Sequence, residues 1–189
     1  MKVIDQRRLE DDPFYRYQFL AEFVGFGEAE VKAIHEAGPC LVRALPRVVN
    51  SVYEKMFSYD ITKQKFVPRH DDYSGTHAED LAELTLEDGQ VQHRKTRLTQ
   101  YFTDLFAAEF DETTVDLMNA VGRMHTTLAG TVSIHVPLMH FNIVMCYIHD
   151  LLTQELLGEK GVDSSTAVSA IRALQKLFWL QQSLVSWHY

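Results

Sequence analysis

The sequence predicts an all-α fold, a single domain of about eight helices of unequal length. Three observations predict it. Apolar residues recur at helical spacing along most of the chain. Glycine and proline are few, 9 and 5, and fall mostly where helices would end. No alternating apolar run carries a hairpin turn, and the one Asp-Gly pair, Asp88-Gly89, sits between helical patterns. The 189 residues suit one domain with a substantial core, and no repeat, linker or low-complexity tract divides them, so the domain is read as 1–189.

The first helix is predicted from Asp12 to Val24. Asp12 caps it, Pro13 takes the first position, Phe14, Tyr17, Leu20, Phe23 and Val24 form its stripe, and Gly25 and Gly27 end it. A second runs from Glu28 to His35 or Ala37 and stops at Gly38-Pro39. A third follows from Pro39 to Ser58, kinked at Pro46, with Val48, Val49, Val52, Tyr53, Met56 and Phe57 inward. A short helix spans Ile61 to Phe66, a loop Arg69 to Thr76, and a minor helix His77 to Leu86. Gln90 to Phe110 reads as a long amphipathic helix carrying Val91, Leu98, Tyr101, Phe102, Leu105 and Phe106. The next, Asp111 to Thr127, turns Val115, Met118, Val121, Gly122 and His125 to one side. A connector over 128–136 leads to Pro137, which opens an apolar helix to Leu157 or Gly158. Asp163, Ser164 and Ser165 cap the last helix, which reaches the C-terminus. These two final helices are joined by a short turn and predict an antiparallel pair.

A net charge of −8, with no basic patch, disfavours nucleic-acid binding. No apolar run is long enough to span a bilayer, and the N-terminus lacks a secretory signal. Cys40 and Cys146 are isolated from each other and from any CxxC or CxxCH pattern. They read as buried free thiols in a cytoplasmic protein.

Catalytic signatures are absent: there is no HExxH, GxSxG, P-loop or GxGxxG, and no matched pair of Glu-x-x-His helices for a di-iron centre. The expectation is therefore a binding protein rather than an enzyme. Among nine histidines, His125 stands out on the core face of an amphipathic helix. Periodicity leaves two readings open: a ligand to haem iron, or a buried histidine satisfied by hydrogen bonds. From spacing alone, Tyr53 reads as a core tyrosine with a satisfied hydroxyl.

Four segments carry a resemblance. FLAEFVGFGEAEVKAIHEAGPCLVRALPRVVNSVYEKMFSYD resembles the N-terminal half of a protoglobin or globin-coupled sensor domain. AVGRMHTT is similar to the proximal-histidine helix of these families, IHVPLMHFNIVMCYI to their Pro-opened G helix, and FWLQQSLVSWHY to the end of their H helix. The four occur in order over nearly the whole chain. The resemblance implies a globin-like helical sandwich with an extra N-terminal (pre-A) helix and a bound haem b (iron protoporphyrin IX).

Carried over residue by residue, the resemblance makes His125 the proximal iron ligand and Tyr53 the B-helix tyrosine that donates to bound gas. Leu98 falls where the family places an apolar E-helix residue above the haem, with Thr99 and Phe102 beside it. Val121, Met124 and Phe141 complete the expected haem contacts. His93 is placed near the distal side, a sixth ligand if the E helix rotates inward, and His135 and His140 flank Pro137 at the rim. Arg94, Lys95 and Arg97 read as partners of the haem propionates or as a solvated face. The 69–89 segment departs from the family in being longer and more acidic.

The function so implied is reversible binding of a diatomic gas (O₂, CO or NO), for sensing, storage or NO chemistry, with no output domain on the chain. The alternative is a globin-fold regulatory or protein-interaction domain that has lost its haem. Excess apolar surface on the last two helices, counting Ile148, Leu151, Leu152, Ile171, Leu174 and Trp179, predicts a homodimer.

Overall fold

The computed structural model describes all residues but 71, 127–134 and 160. Among the described residues there are helices and no strands. The first helix, α1 (Gln6–Asp11), has no counterpart in the apolar pattern because it buries nothing. It is a capped turn: the Asp5 carboxylate accepts from the Arg8 amide at 3.1 Å. Asp12 then ends α1 and starts α2 (Pro13–Val24), accepting from the Tyr15 amide at 2.9 Å. Gly25, at φ 67°, closes α2 in the left-handed conformation that glycine adopts without strain.

The predicted second and third helices are one element, α3 (Glu28–Phe57), which runs through Gly38, Pro39 and Pro46. Each interior proline costs about 3 kcal/mol. Against that, Ile34, Leu41, Leu45, Val48, Val49 and Val52 are all buried, each contributing about 1.5–3 kcal/mol. Tertiary burial thus overrides the local stop signal.

The chain continues through α4 (Asp60–Lys63) and a 3₁₀ turn, Gln64–Phe66, close to the expected short helix. The helix predicted over His77 to Leu86 does not form. Only Ala78 and Leu84 are buried there, too few for an apolar face. The Asp80 carboxylate accepts from the amides of Ala82 and Glu83 at 2.8 and 2.9 Å, a side-chain turn that competes with helical bonding.

Helix α5 (Gly89–Phe106) is capped by Asp88, which accepts from the Gln90 amide at 2.9 Å. It stops short of the predicted Phe110. That residue leaves helical geometry at φ 55° and packs edge-on to Phe26 at 5.1 Å. Helix α6 (Glu112–Met124), capped by Asp111, ends at His125 rather than Thr127. The connector expected over 128–136 lies largely outside the described residues. Helix α7 (Leu138–Gly158) follows Pro137, and α8 (Ser164–Ser186) is capped by Asp163.

Helix α3 is the centre of the fold, packed on α8, α5 and α7. Helix α6 rests on α8 and α2, and α7 packs on α8. No extensive packing joins α5 to α6. A buried amide bridges them instead: Gln181 on α8 accepts from the Tyr101 hydroxyl of α5 and donates to the Met118 carbonyl of α6 at 2.9 Å.

Candidate functional site

His125 ends α6, and its ring is fixed from behind. Nδ1–H donates to the Val121 carbonyl at 2.7 Å, so Nε2 carries the lone pair. Nε2 has no hydrogen-bond partner among the described residues. Burial holds the imidazole pKa below its ordinary value and keeps the ring neutral, the form that ligates a metal. Phe141 of α7 packs edge-on to the ring, 5.4 Å between centroids.

The C-terminal residues hold this end of α6 in place, a role the sequence pattern did not reveal. A Cβ on Gly122 would stand 2.9 Å from the Val185 Cα, so α6 and α8 touch backbone to backbone there. His188 pairs with Asn119 at 2.9 Å. The Tyr189 hydroxyl donates to the Val136 carbonyl at 2.6 Å and reaches the His125 carbonyl at 3.3 Å.

Tyr53 lies on α3 with 4 % of its surface exposed, its ring against Phe66 at 5.4 Å and the Lys95 ammonium 5.7 Å from its centroid. The hydroxyl makes no hydrogen bond among the described residues. Burial raises its pKa, so it stays a neutral donor.

Arg94 is buried, which corrects its reading as part of a solvated face. Its guanidinium donates to the carbonyls of Lys65 at 3.0 Å and Pro68 at 3.3 Å, over the Phe66 ring. Burial brings its pKa down to about 10. Its charge acts on both His125 and Tyr53, which places it within electrostatic reach of each. Lys95 caps the Tyr53 ring, and Arg97 stands 3.5 Å from Asp72.

The other expected contacts divide. Phe141 and Val121 touch His125 directly. Leu98 is half-buried against the core, and the Thr99 hydroxyl is spent on the Lys95 carbonyl. Phe102 is fully buried and stacks on Phe178 at 5.7 Å and 10°, a core position between α5 and α8. Met124 is 48 % exposed. His93 pairs with Asp72 at 3.0 Å, His135 is exposed, and His140 is buried with Nδ1 unpartnered. A surface groove of about 660 Å³ beside Phe26, His35 and Phe110 shares none of these residues.

His125 and Tyr53 fit a haem. One neutral imidazole is oriented by a backbone carbonyl and has its second nitrogen unclaimed among the described residues, the arrangement in which histidine holds iron. Tyr53, a buried tyrosine of α3, makes no hydrogen bond through its hydroxyl among the described residues, and α5 and α6 make no extensive contact.

The protoglobin family model matches residues 15–189. No curated protein matches the chain. Among solved structures, the globin domain of the Geobacter sulfurreducens globin-coupled sensor superposes with a TM-score of 0.68 at 14 % identity, covering 89 % of this chain and 94 % of that one. At that identity the likeness establishes a shared globin fold. The chain belongs to the protoglobin family.

Proposed function

We propose that this chain binds haem b through His125 Nε2 and takes up a diatomic gas reversibly, in sensing or gas binding. The observation that carries the reading is the His125 ring itself: neutral, tethered through Nδ1 at 2.7 Å, with no partner for Nε2 among the described residues. When bound, haem supplies an iron that takes O₂, CO or NO. His125 holds and orients the group. Tyr53 would hold its hydroxyl as a neutral donor toward a gas ligand. Phe141 and the Tyr53–Phe66 pair exclude water.

The purified chain, reduced with dithionite and titrated with CO, tests this. One CO per chain with a shifted Soret band is expected. A colourless chain that takes up no added haem would point to the haem-free regulatory domain instead.

A second copy of the chain is proposed as the partner of α7 and α8. Ile148, Leu152 and Leu174, counted as dimer-facing from the sequence, belong to the core. The available face carries Met139, Ile143, Cys146, Val168 and Trp179, all exposed. Exposure of Cys146 also corrects the reading of both thiols as buried.

A further inference from the structure

We propose that His70, Asp72 and His93 form a site for a divalent first-row transition-metal ion of the zinc class. It would join the segment after the 3₁₀ turn to the N-terminal half of α5, and it is independent of the haem reading.

The three side chains offer one ligand atom each, and these lie within 4.8 Å of one another. Ligands about 2.1 Å from an ion stand about 3–3.5 Å apart, so small side-chain rotations close the set. His93 Nε2 is already 3.0 Å from Asp72 Oδ1, and His70 Nδ1 lies against the same oxygen. His70 Nδ1 is buried yet makes no hydrogen bond of proper geometry, so that contact does not satisfy it. Two ring nitrogens and a carboxylate oxygen converge on one spot.

Ligand type decides the class of ion. Two imidazoles and one carboxylate suit zinc, cobalt, nickel or ferrous iron, whereas calcium and magnesium favour all-oxygen shells. Three protein ligands leave room for water in the fourth position. The side chains are 30–37 % exposed, so an ion has a path in. Burial and the Arg94 charge hold His70 below its ordinary pKa, in the neutral form that binds metal.

The site is held without an ion. Gln90, fully buried, accepts from the His70 amide at 2.7 Å and donates to the carbonyls of Phe66 at 2.8 Å and Pro68 at 3.0 Å. One turn along α5 comes His93. Tyr73 packs on its ring at 5.6 Å, seated where a Cβ on Gly75 or Gly89 would collide with the phenol. Arg97 approaches the other Asp72 oxygen, Oδ2, at 3.5 Å, which leaves Oδ1 for the ion.

Equilibrium dialysis of the full haem-loaded chain against micromolar ZnCl₂, with zinc and iron counted in the same samples, tests the site. One zinc per chain is expected beyond the iron. His93→Ala and Asp72→Asn should each weaken zinc binding by at least about tenfold while leaving the iron count unchanged. His135→Ala should bind as the parent does. No retained zinc, or binding untouched in both His93→Ala and Asp72→Asn, overturns the proposal. The iron count reports separately on the haem reading.

Discussion

The Nδ1–H of His125 lies 2.7 Å from the carbonyl oxygen of Val121, one helical turn earlier, and this single bond sets what the ring can do. It fixes the tautomer, aims Nε2 away from α6, and ties ring orientation to the position of the helix. The properties of the site therefore depend on residues that never touch it.

Gly122 is the first of these. In Gly122→Ala the new methyl would press on the Val185 Cα at 2.9 Å and on the His188 ring at 2.5 Å, so α6 must move off α8. A loss of about 1–3 kcal/mol is expected from the overpacking. Urea unfolding should show the lower stability, and haem transfer to an acceptor globin should speed up. Unchanged stability and transfer would mean that α8 does not position His125.

Tyr53→Phe removes a hydroxyl that no described protein group claims, so unfolding midpoints should barely change. A hydrogen bond to bound O₂ is worth about 1–1.5 kcal/mol, roughly a tenfold change in dissociation. Stopped-flow mixing should show faster O₂ release in the variant, with CO release little altered. Equal O₂ release rates would take Tyr53 out of the pocket.

The pH dependence follows from burial. His149 and His188, neither of them a proposed iron ligand, have pKa values lowered in the fold, burial being the first cause in each. The unfolded chain thus binds protons more readily than the folded one. Stability is fully present above the ordinary histidine value of 6.5 and is lost as pH falls below it. Thermal midpoints should be flat from about pH 7 to 8 and fall on acidification. A midpoint rising below pH 6 would contradict the burial of these rings.

Ile143→Glu places a charge at the middle of the exposed α7 stripe without touching the core. Light scattering after size exclusion should give a dimer for the parent and a monomer for the variant. A parent that is monomeric at tens of micromolar removes the second copy as partner.

Helix starts were legible because their chemistry is local. Asp12-Pro13 and Asp163 cap where the sequence pattern placed them, and α6 starts beside its expected Asp111. The continuity of α3 was not, since Gly38-Pro39 is a strong local stop and the burial that overrides it comes from α5, α7 and α8. His125 was singled out through AVGRMHTT, but its Val121 tether depends on where the helix ends, which no spacing rule gives. Arg94 was misread because its partners, the Lys65 and Pro68 carbonyls, lie in a distant segment. The His70–Asp72–His93 group escaped notice for the same reason, as His70 and Asp72 are remote in sequence from α5.

The most direct test replaces the ring and then returns it. Ferrous–CO difference spectra would be recorded for the parent, for His125→Gly, and for His125→Gly with added imidazole. The account predicts a strong Soret difference in the parent, its loss or marked weakening in the variant, and recovery when free imidazole fills the vacated ligand position. A His125→Gly protein that keeps the parent spectrum without imidazole would show that another residue holds the iron.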